Sequence, residues 1–183
     1  MSSSVLWLLA LACTDDPTDD TGDSGDGTVA LIDVSLWTQA LDTEDPFEDR
    51  PEVVDCPTSS WAVEVIEGLP PALEVDTGLC DYVTFWQPTQ VDLVAGQTVY
   101  QILAHGDLTA LEPAEAHVAV WLDTTVLHDA VVAIPADGTQ TSYEHVLEED
   151  VPAGTLVWIH LHNHGDNTWA FGELWTDAQQ DDS

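Results

Sequence analysis

The chain has 183 residues, with 35 acidic residues against a single basic one, Arg50, and a formal net charge of -34 at pH 7. This excludes nucleic-acid binding, which depends on lysine and arginine neutralising phosphates. A P-loop, Schiff-base chemistry and an arginine-finger mechanism are excluded for the same lack of cations. Anionic lipid surfaces repel such a chain, and cations, neutral ligands or a salty medium suit it. Hydrophobic residues still make up 44%, enough for a packed domain rather than a disordered polyacid.

Met1 to Ser4 leads into the apolar run Val5 to Ala12, followed by Cys13. The run is far shorter than the roughly 20 residues that span a bilayer, and it suits the core of an export signal. The segment Leu9-Ala10-Leu11-Ala12-Cys13 resembles a bacterial lipobox. It departs from that pattern in carrying Ala10 three residues before the cysteine and in lacking basic residues ahead of the apolar run. The resemblance implies that residues 1–12 are a lipoprotein signal peptide. Cys13 is then acylated, and the domain stands in the bacterial cell envelope, facing the periplasm or the cell surface. Residues 13–28 are acidic and rich in Asp, Thr and Gly, the composition of a solvated tether. Asp20, Asp23 and Asp26 recur every three residues, whereas a calcium-binding EF-hand loop places ligands two apart, so only weak Ca²⁺ binding is expected there.

From Val29 the pattern turns to short alternating runs. Strands are expected over Val29 to Trp37, Trp61 to Ile66, Leu73 to Val75, Tyr82 to Gln87 and Gln90 to Val94. Further strands are expected over Gln97 to His105, His117 to Asp123, Val126 to Ile134, Thr141 to Leu147, Thr155 to His164 and Trp169 to Thr176. No segment keeps helical periodicity over three turns. About eight to ten strands over residues 29–176 imply an all-β, antiparallel β-sandwich of jelly-roll-like type, with a polar tail over 177–183. Glu44, Asp45, Glu48, Asp49 and Arg50 fall in an acidic loop. With Cys13 committed to lipid, Cys56 and Cys80 remain as a pair, and in an exported protein a disulfide is expected between them. Closing that loop restricts the unfolded chain by roughly 3.5 kcal/mol.

The most informative segment is Val151 to Gly165. If it is a strand, Val157, Ile159 and Leu161 face the core, while Trp158, His160, His162 and His164 line the opposite face. Paired imidazoles of this kind can share a transition metal such as Zn or Cu, with His105 or His117 from other strands as further ligands. The bland alternative is a half-exposed polar face whose rings bond to water or backbone. Gly154, His160, His162 and Asp166 also resemble the first motif of the cupins, which are jelly rolls with a histidine-bound metal. The later glycine arrives one residue early, at Gly172, and no histidine follows His164.

The tryptophans give a second reading. Trp158 and Trp121 lie on strands whose other faces are apolar, as in carbohydrate-binding modules that stack sugars on aromatic platforms. Asp166 and Asn167 could then bond hydroxyls. The competing role of each indole is core packing. No G-x-S-x-G or HExxH motif occurs, and the expectation leans away from an enzyme. It is a lipid-anchored binding module for a metal ion or a glycan, or a purely structural or adhesion module.

Overall fold

The computed structural model describes residues 27–65 and 70–178. The expected signal, the lipidation site Cys13, most of the tether and most of the tail lie outside them. Among the described residues there are eleven strands. They are β1 (Thr28–Ala30), β2 (Thr38–Gln39), β3 (Trp61–Glu64), β4 (Ala72–Asp76), β5 (Tyr82–Pro88), β6 (Thr98–His105), β7 (Ala114–Leu122), β8 (Thr125–Ile134), β9 (Thr139–Val146), β10 (Leu156–Asn163) and β11 (Thr168–Asp177). All named pairings are antiparallel.

The first sheet runs β3-β4-β11-β6-β9, with β1 also on β11, and the second runs β2-β5-β10-β7-β8. If β4 to β11 are counted as strands 1 to 8, the central orders are 1-8-3-6 and 2-7-4-5. That interleaving is the double Greek key of a jelly roll, as the sequence pattern predicts.

The inner faces meet as two apolar layers. Leu73, Val75, Leu103, Trp169 and Phe171 come from the first sheet. Val83, Phe85, Val118, Val120, Val157, Ile159 and Leu161 come from the second, and all of these are buried. Each such side chain contributes about 1.5–3 kcal/mol through burial. A polar residue at the end of β10 is satisfied within this layer. Asn163 accepts from Trp169 Nε1 at 3.3 Å and donates to the Gly165 carbonyl. The Cys56–Cys80 disulfide is formed.

Two expected strands are interrupted. Val29 to Trp37 breaks after Ala30, because the Asp33 carboxylate accepts from Ser35 N at 2.9 Å and Ser35 Oγ at 2.6 Å and turns the chain into a 3₁₀ segment at Val34–Leu36. Gln90 to Val94 is not a strand. Leu93 bridges Val151, but Gln90 N donates to Leu31 O, and Val94 N is captured by Gln97 Oε1 at 2.8 Å. Conversely β7 begins at Ala114, inside what reads as loop. The β7–β8 turn centres on Asp123 and Thr124, with Asp123 at φ 52, a left-handed conformation that aspartate tolerates.

His128 of β8 faces inward and its ring lies 3.7 Å from that of Tyr143 on β9, so it ties one edge of each sheet together. Burial pushes its imidazole below the ordinary range, against the pull of Asp129. The folded state therefore disfavours the protonated ring. This contribution is fully present above the unfolded value near 6.5 and is lost as pH falls below it. Tyr143 and His145 of β9 face the same space, with Glu144 at its edge, and comparing the variant with the parent chain isolates His128. Denaturant melts at pH 7.5 and 5 should show a smaller acid-induced loss of stability in His128→Phe than in the parent chain. Equal losses would refute the assignment.

Candidate functional site

The outward face of the second sheet carries the chemistry. Alternation along β10 sends Val157, Ile159 and Leu161 inward and Trp158, His160 and His162 outward. Register then brings neighbours alongside. His162 stands between Tyr82 of β5 and His117 of β7, His160 between Thr84 and Ala119, and Trp158 between Trp86 and Trp121. The face thus divides into a histidine half and a tryptophan half.

A strap covering residues 40–57 lies over the histidine half. Its ends are tied where Ala40 N donates to Thr84 O at 2.8 Å and Gln39 Nε2 to Cys56 O at 3.3 Å, beside the disulfide. Phe47 of the strap is buried and stacks on His160, with ring centroids 4.1 Å apart, and also touches Trp121 at 4.4 Å. The Asp45 side chain is fully buried. Its Oδ2 accepts from Arg50 Nη1 at 2.7 Å, Tyr82 Oη at 2.9 Å and Thr84 Oγ1 at 3.1 Å. The second arm of Arg50 pairs with Asp42, and its guanidinium sits 5.3 Å from the centre of the Tyr82 ring. The chain's one arginine therefore neutralises a buried carboxylate where the strap meets the sheet.

Asp49 closes the arrangement. Its Oδ2 lies 2.9 Å from His117 Nδ1, 3.2 Å from His160 Nε2 and 3.0 Å from His162 Nδ1. Ligand atoms of Asp49, His117 and His160 all fall within 4.8 Å of one another. Asp49 Oδ1 is buried and has no partner among the described residues. The remaining ring nitrogens of two of these histidines are also engaged. His117 Nε2 faces Asp129 Oδ1 at 3.2 Å, and His160 Nδ1 faces Thr84 Oγ1 at 3.3 Å. Burial works against a charged Asp49, but its close contacts with His117, His160 and His162 outweigh it and hold the carboxyl down to about 2. For His160, fully enclosed beneath Phe47, burial pushes the imidazole down to about 4 despite the pull of Asp49.

In the tryptophan half, Trp86, Trp158 and Trp121 form one transverse row across three adjacent strands. All three are half-buried. The Trp86 and Trp158 rings lie 6.4 Å apart, and exposed Thr38 and Val126 flank the two ends of the row. The Nε1–H groups of Trp86 and Trp121 have no acceptor among the described residues.

Of the residues singled out from sequence, His160, His162 and His117 are brought together, and Trp158 and Trp121 are brought together. His164 lies beyond the end of β10. Its exposed ring packs against His162 at 4.6 Å, but it places no nitrogen on Asp49. His105 sits in the other sheet, against Trp169 at 4.6 Å and bonded to the Gly106 carbonyl at 2.8 Å, so it does not join the cluster. Asp166 and Asn167 follow the far end of β10 from Trp158. Asp166 bridges Thr109 through its backbone, and Asn167 Nδ2 donates to Asp107 O at 2.6 Å. They knit loops and stand apart from the tryptophan row. Sequence reasoning assigned no role to Asp49, Asp45, Phe47, Thr84 or Asp129. The one available signal was Arg50, since a lone cation in so acidic a chain marks its surrounding carboxylates as special.

No family model matches the sequence, and no curated protein matches it. Solved structures that align with the chain include TmCBM61, a carbohydrate-binding module, in complex with β-1,4-galactotriose. That alignment has 8% identity, covers 80% of this chain and 90% of that one, and has a TM-score of 0.46. A family 11 carbohydrate-binding module from Clostridium thermocellum aligns with 12% identity, covering 83% and 96%, at a TM-score of 0.40. The K3 cleaved adhesin domain of Lys-gingipain from Porphyromonas gingivalis aligns with 8% identity, covering 84% and 100%, at 0.43.

The Arg50–Asp45 pair sets the strap. Replacing Arg50 with glutamine leaves a buried carboxylate without its cation. It should cost about 3 kcal/mol in a denaturant melt, the expected loss for breaking a buried ion pair from one side. A loss under about 0.5 kcal/mol, the level of an ordinary surface change, would show that the pair does not hold the strap.

Proposed function

We propose that this chain is an exported binding module that presents the tryptophan row of its second sheet to a neutral oligosaccharide. The observation that carries this reading is the direct alignment of Trp86, Trp158 and Trp121 on adjacent strands, outward and half-buried. Strand spacing of about 4.8 Å spreads three indoles over roughly 10 Å as an apolar strip on an acidic domain, with the Trp86 and Trp158 planes inclined at 51°. Sugar rings offer apolar faces that stack on indoles. Charge narrows the ligand class. With Arg50 committed to Asp42 and Asp45, nothing near the row compensates an anionic glycan, and the net charge of -34 repels one.

Titration calorimetry against neutral β-linked galactan, xylan and glucan oligosaccharides tests this reading. One of them should bind, with tryptophan fluorescence responding. Trp158→Ala should weaken binding by about tenfold, the equivalent of some 1.4 kcal/mol of lost stacking. Failure of every neutral glycan to bind, or affinity unchanged in both Trp158→Ala and Trp86→Ala, would sink it.

The lipobox-like segment supports an anchored location for this face. Acylation at Cys13 would leave residues 14–28 as a spacer between membrane and sandwich. Expressed in a bacterium with its leader, the protein should fractionate with membranes, and Cys13→Ser should move it to the soluble fraction. Membrane association that survives the substitution would count against the anchor.

A further inference from the structure

The histidine half of the face cannot be satisfied by its own hydrogens alone. Asp45 accepts only, so the single hydroxyl hydrogen of Thr84 is used in the 3.1 Å bond to Asp45. His160 Nδ1, 3.3 Å from Thr84 Oγ1, must then be the donor in that contact. A neutral His160 has no second hydrogen, so Nε2 directs a bare lone pair at Asp49 Oδ2, 3.2 Å away. His117 faces a carboxylate at each ring nitrogen, Asp129 from Nε2 at 3.2 Å and Asp49 from Nδ1 at 2.9 Å, and a neutral ring has one hydrogen for the two. His162 Nδ1 arrives from a third direction at 3.0 Å. Lone pairs and an anionic oxygen converge on one small volume beneath Phe47. They repel one another unless a cation lies among them.

We propose that Asp49, His117, His160 and His162 bind one transition-metal dication of the Zn²⁺ class, clipping the strap to the sheet. The donor set is three neutral imidazole nitrogens and one carboxylate oxygen. This set favours Zn²⁺ or Cu²⁺ over the oxygen-seeking Ca²⁺ and Mg²⁺. Ligand atoms of Asp49, His117 and His160 lie within 4.8 Å of one another, and each of the three histidines places a nitrogen 2.9 to 3.2 Å from Asp49 Oδ2. Ligands of tetrahedral zinc lie about 3.3 Å apart at bonds near 2.05 Å, so the rings, His162 most of all, draw inward on the metal. Two of the histidines already hold the outer contacts that metal-bound histidines use, Asp129 on His117 and Thr84 on His160, and Thr84 fixes the His160 tautomer that frees the inward nitrogen. The three histidines come from two adjacent strands and the carboxylate from the strap, so metal binding joins two otherwise separate parts of the fold. The site is independent of the tryptophan row, and either could exist without the other.

The test is equilibrium dialysis of the chelator-stripped protein with Zn²⁺ in a large excess of Mg²⁺, which occupies the surface carboxylates. One Zn²⁺ per chain should bind at submicromolar Kd. Co²⁺ substitution should give the visible spectrum of a tetrahedral site with nitrogen ligands. His162→Ala, a partly exposed position, should weaken Zn²⁺ at least roughly 100-fold. Asp129→Asn, which alters only the outer contact, should weaken it about 10- to 100-fold. His105→Ala should change nothing. His160 is so enclosed that its alanine variant risks misfolding, so circular dichroism of the two informative variants accompanies the measurement. Cu²⁺ is run in parallel, and tighter Cu²⁺ binding with the same variant pattern supports the same site. The proposal is overturned if Zn²⁺ binds only at millimolar levels, if Mg²⁺ displaces it, or if folded His162→Ala binds as well as the parent.

Discussion

The contact on which this structure turns is the buried salt bridge between Arg50 and Asp45. In a chain carrying 35 acidic residues, bringing a loop with Asp42, Glu44, Asp45, Glu48 and Asp49 down onto a sheet face works against both charge repulsion and desolvation. The single guanidinium answers both, and the Tyr82 and Thr84 hydroxyls complete the shell of Asp45. Once Asp45 is fixed, Phe47 reaches His160 and Asp49 reaches the histidines, because all are within a few residues on the same strap. The disulfide and the Gln39–Cys56 contact hold the ends. The site is thus assembled from a rigid half, supplied by β5, β7 and β10, and a fastened half, supplied by the strap.

β10 is central to everything else. Its inward residues belong to the core between the sheets, and its outward residues belong to both halves of the working face. Its two neighbours on the sheet complete each half by register alone, His117 opposite His162 and the two tryptophans opposite Trp158. A one-residue slip of this strand would expose Val157, Ile159 and Leu161 and bury the histidines and Trp158. Core burial therefore fixes the register that the site depends on.

Much of this was legible before any coordinates. Period-two alternation locates most of the strands and predicts the two-layer jelly roll, because a half-buried strand writes its two faces directly into the sequence. The same alternation puts His160, His162 and Trp158 on one face. What alternation does not contain is pairing. That His117 lies beside His162 while His105 lies in the other sheet is set by Greek-key connectivity between segments far apart in the chain, and nothing local records it. Asp49 was hidden for a different reason. It stands among many acids in a loop with no period, and its importance comes from a tertiary closure whose one visible clue was Arg50. The errors over Val29 to Trp37 and Gln90 to Val94 were local contests, in which Asp33 and Gln97 side chains captured backbone hydrogens that a strand would have used.

The strap's two ends meet at Gln39 and Cys56, so residues 40–57 form a nearly closed loop standing on a short base. Apart from the Cys56–Cys80 disulfide and the backbone bond from Ala40 to Thr84, the contacts described for it run to outward side chains of one sheet. Such a loop behaves as an interchangeable cassette. A jelly roll that keeps β5, β7 and β10 could accept a strap of different length or donor chemistry between the same two posts and so acquire a different occupant. The sandwich serves as a chassis, and the identity of what it holds is written mainly in eighteen or so residues outside the core.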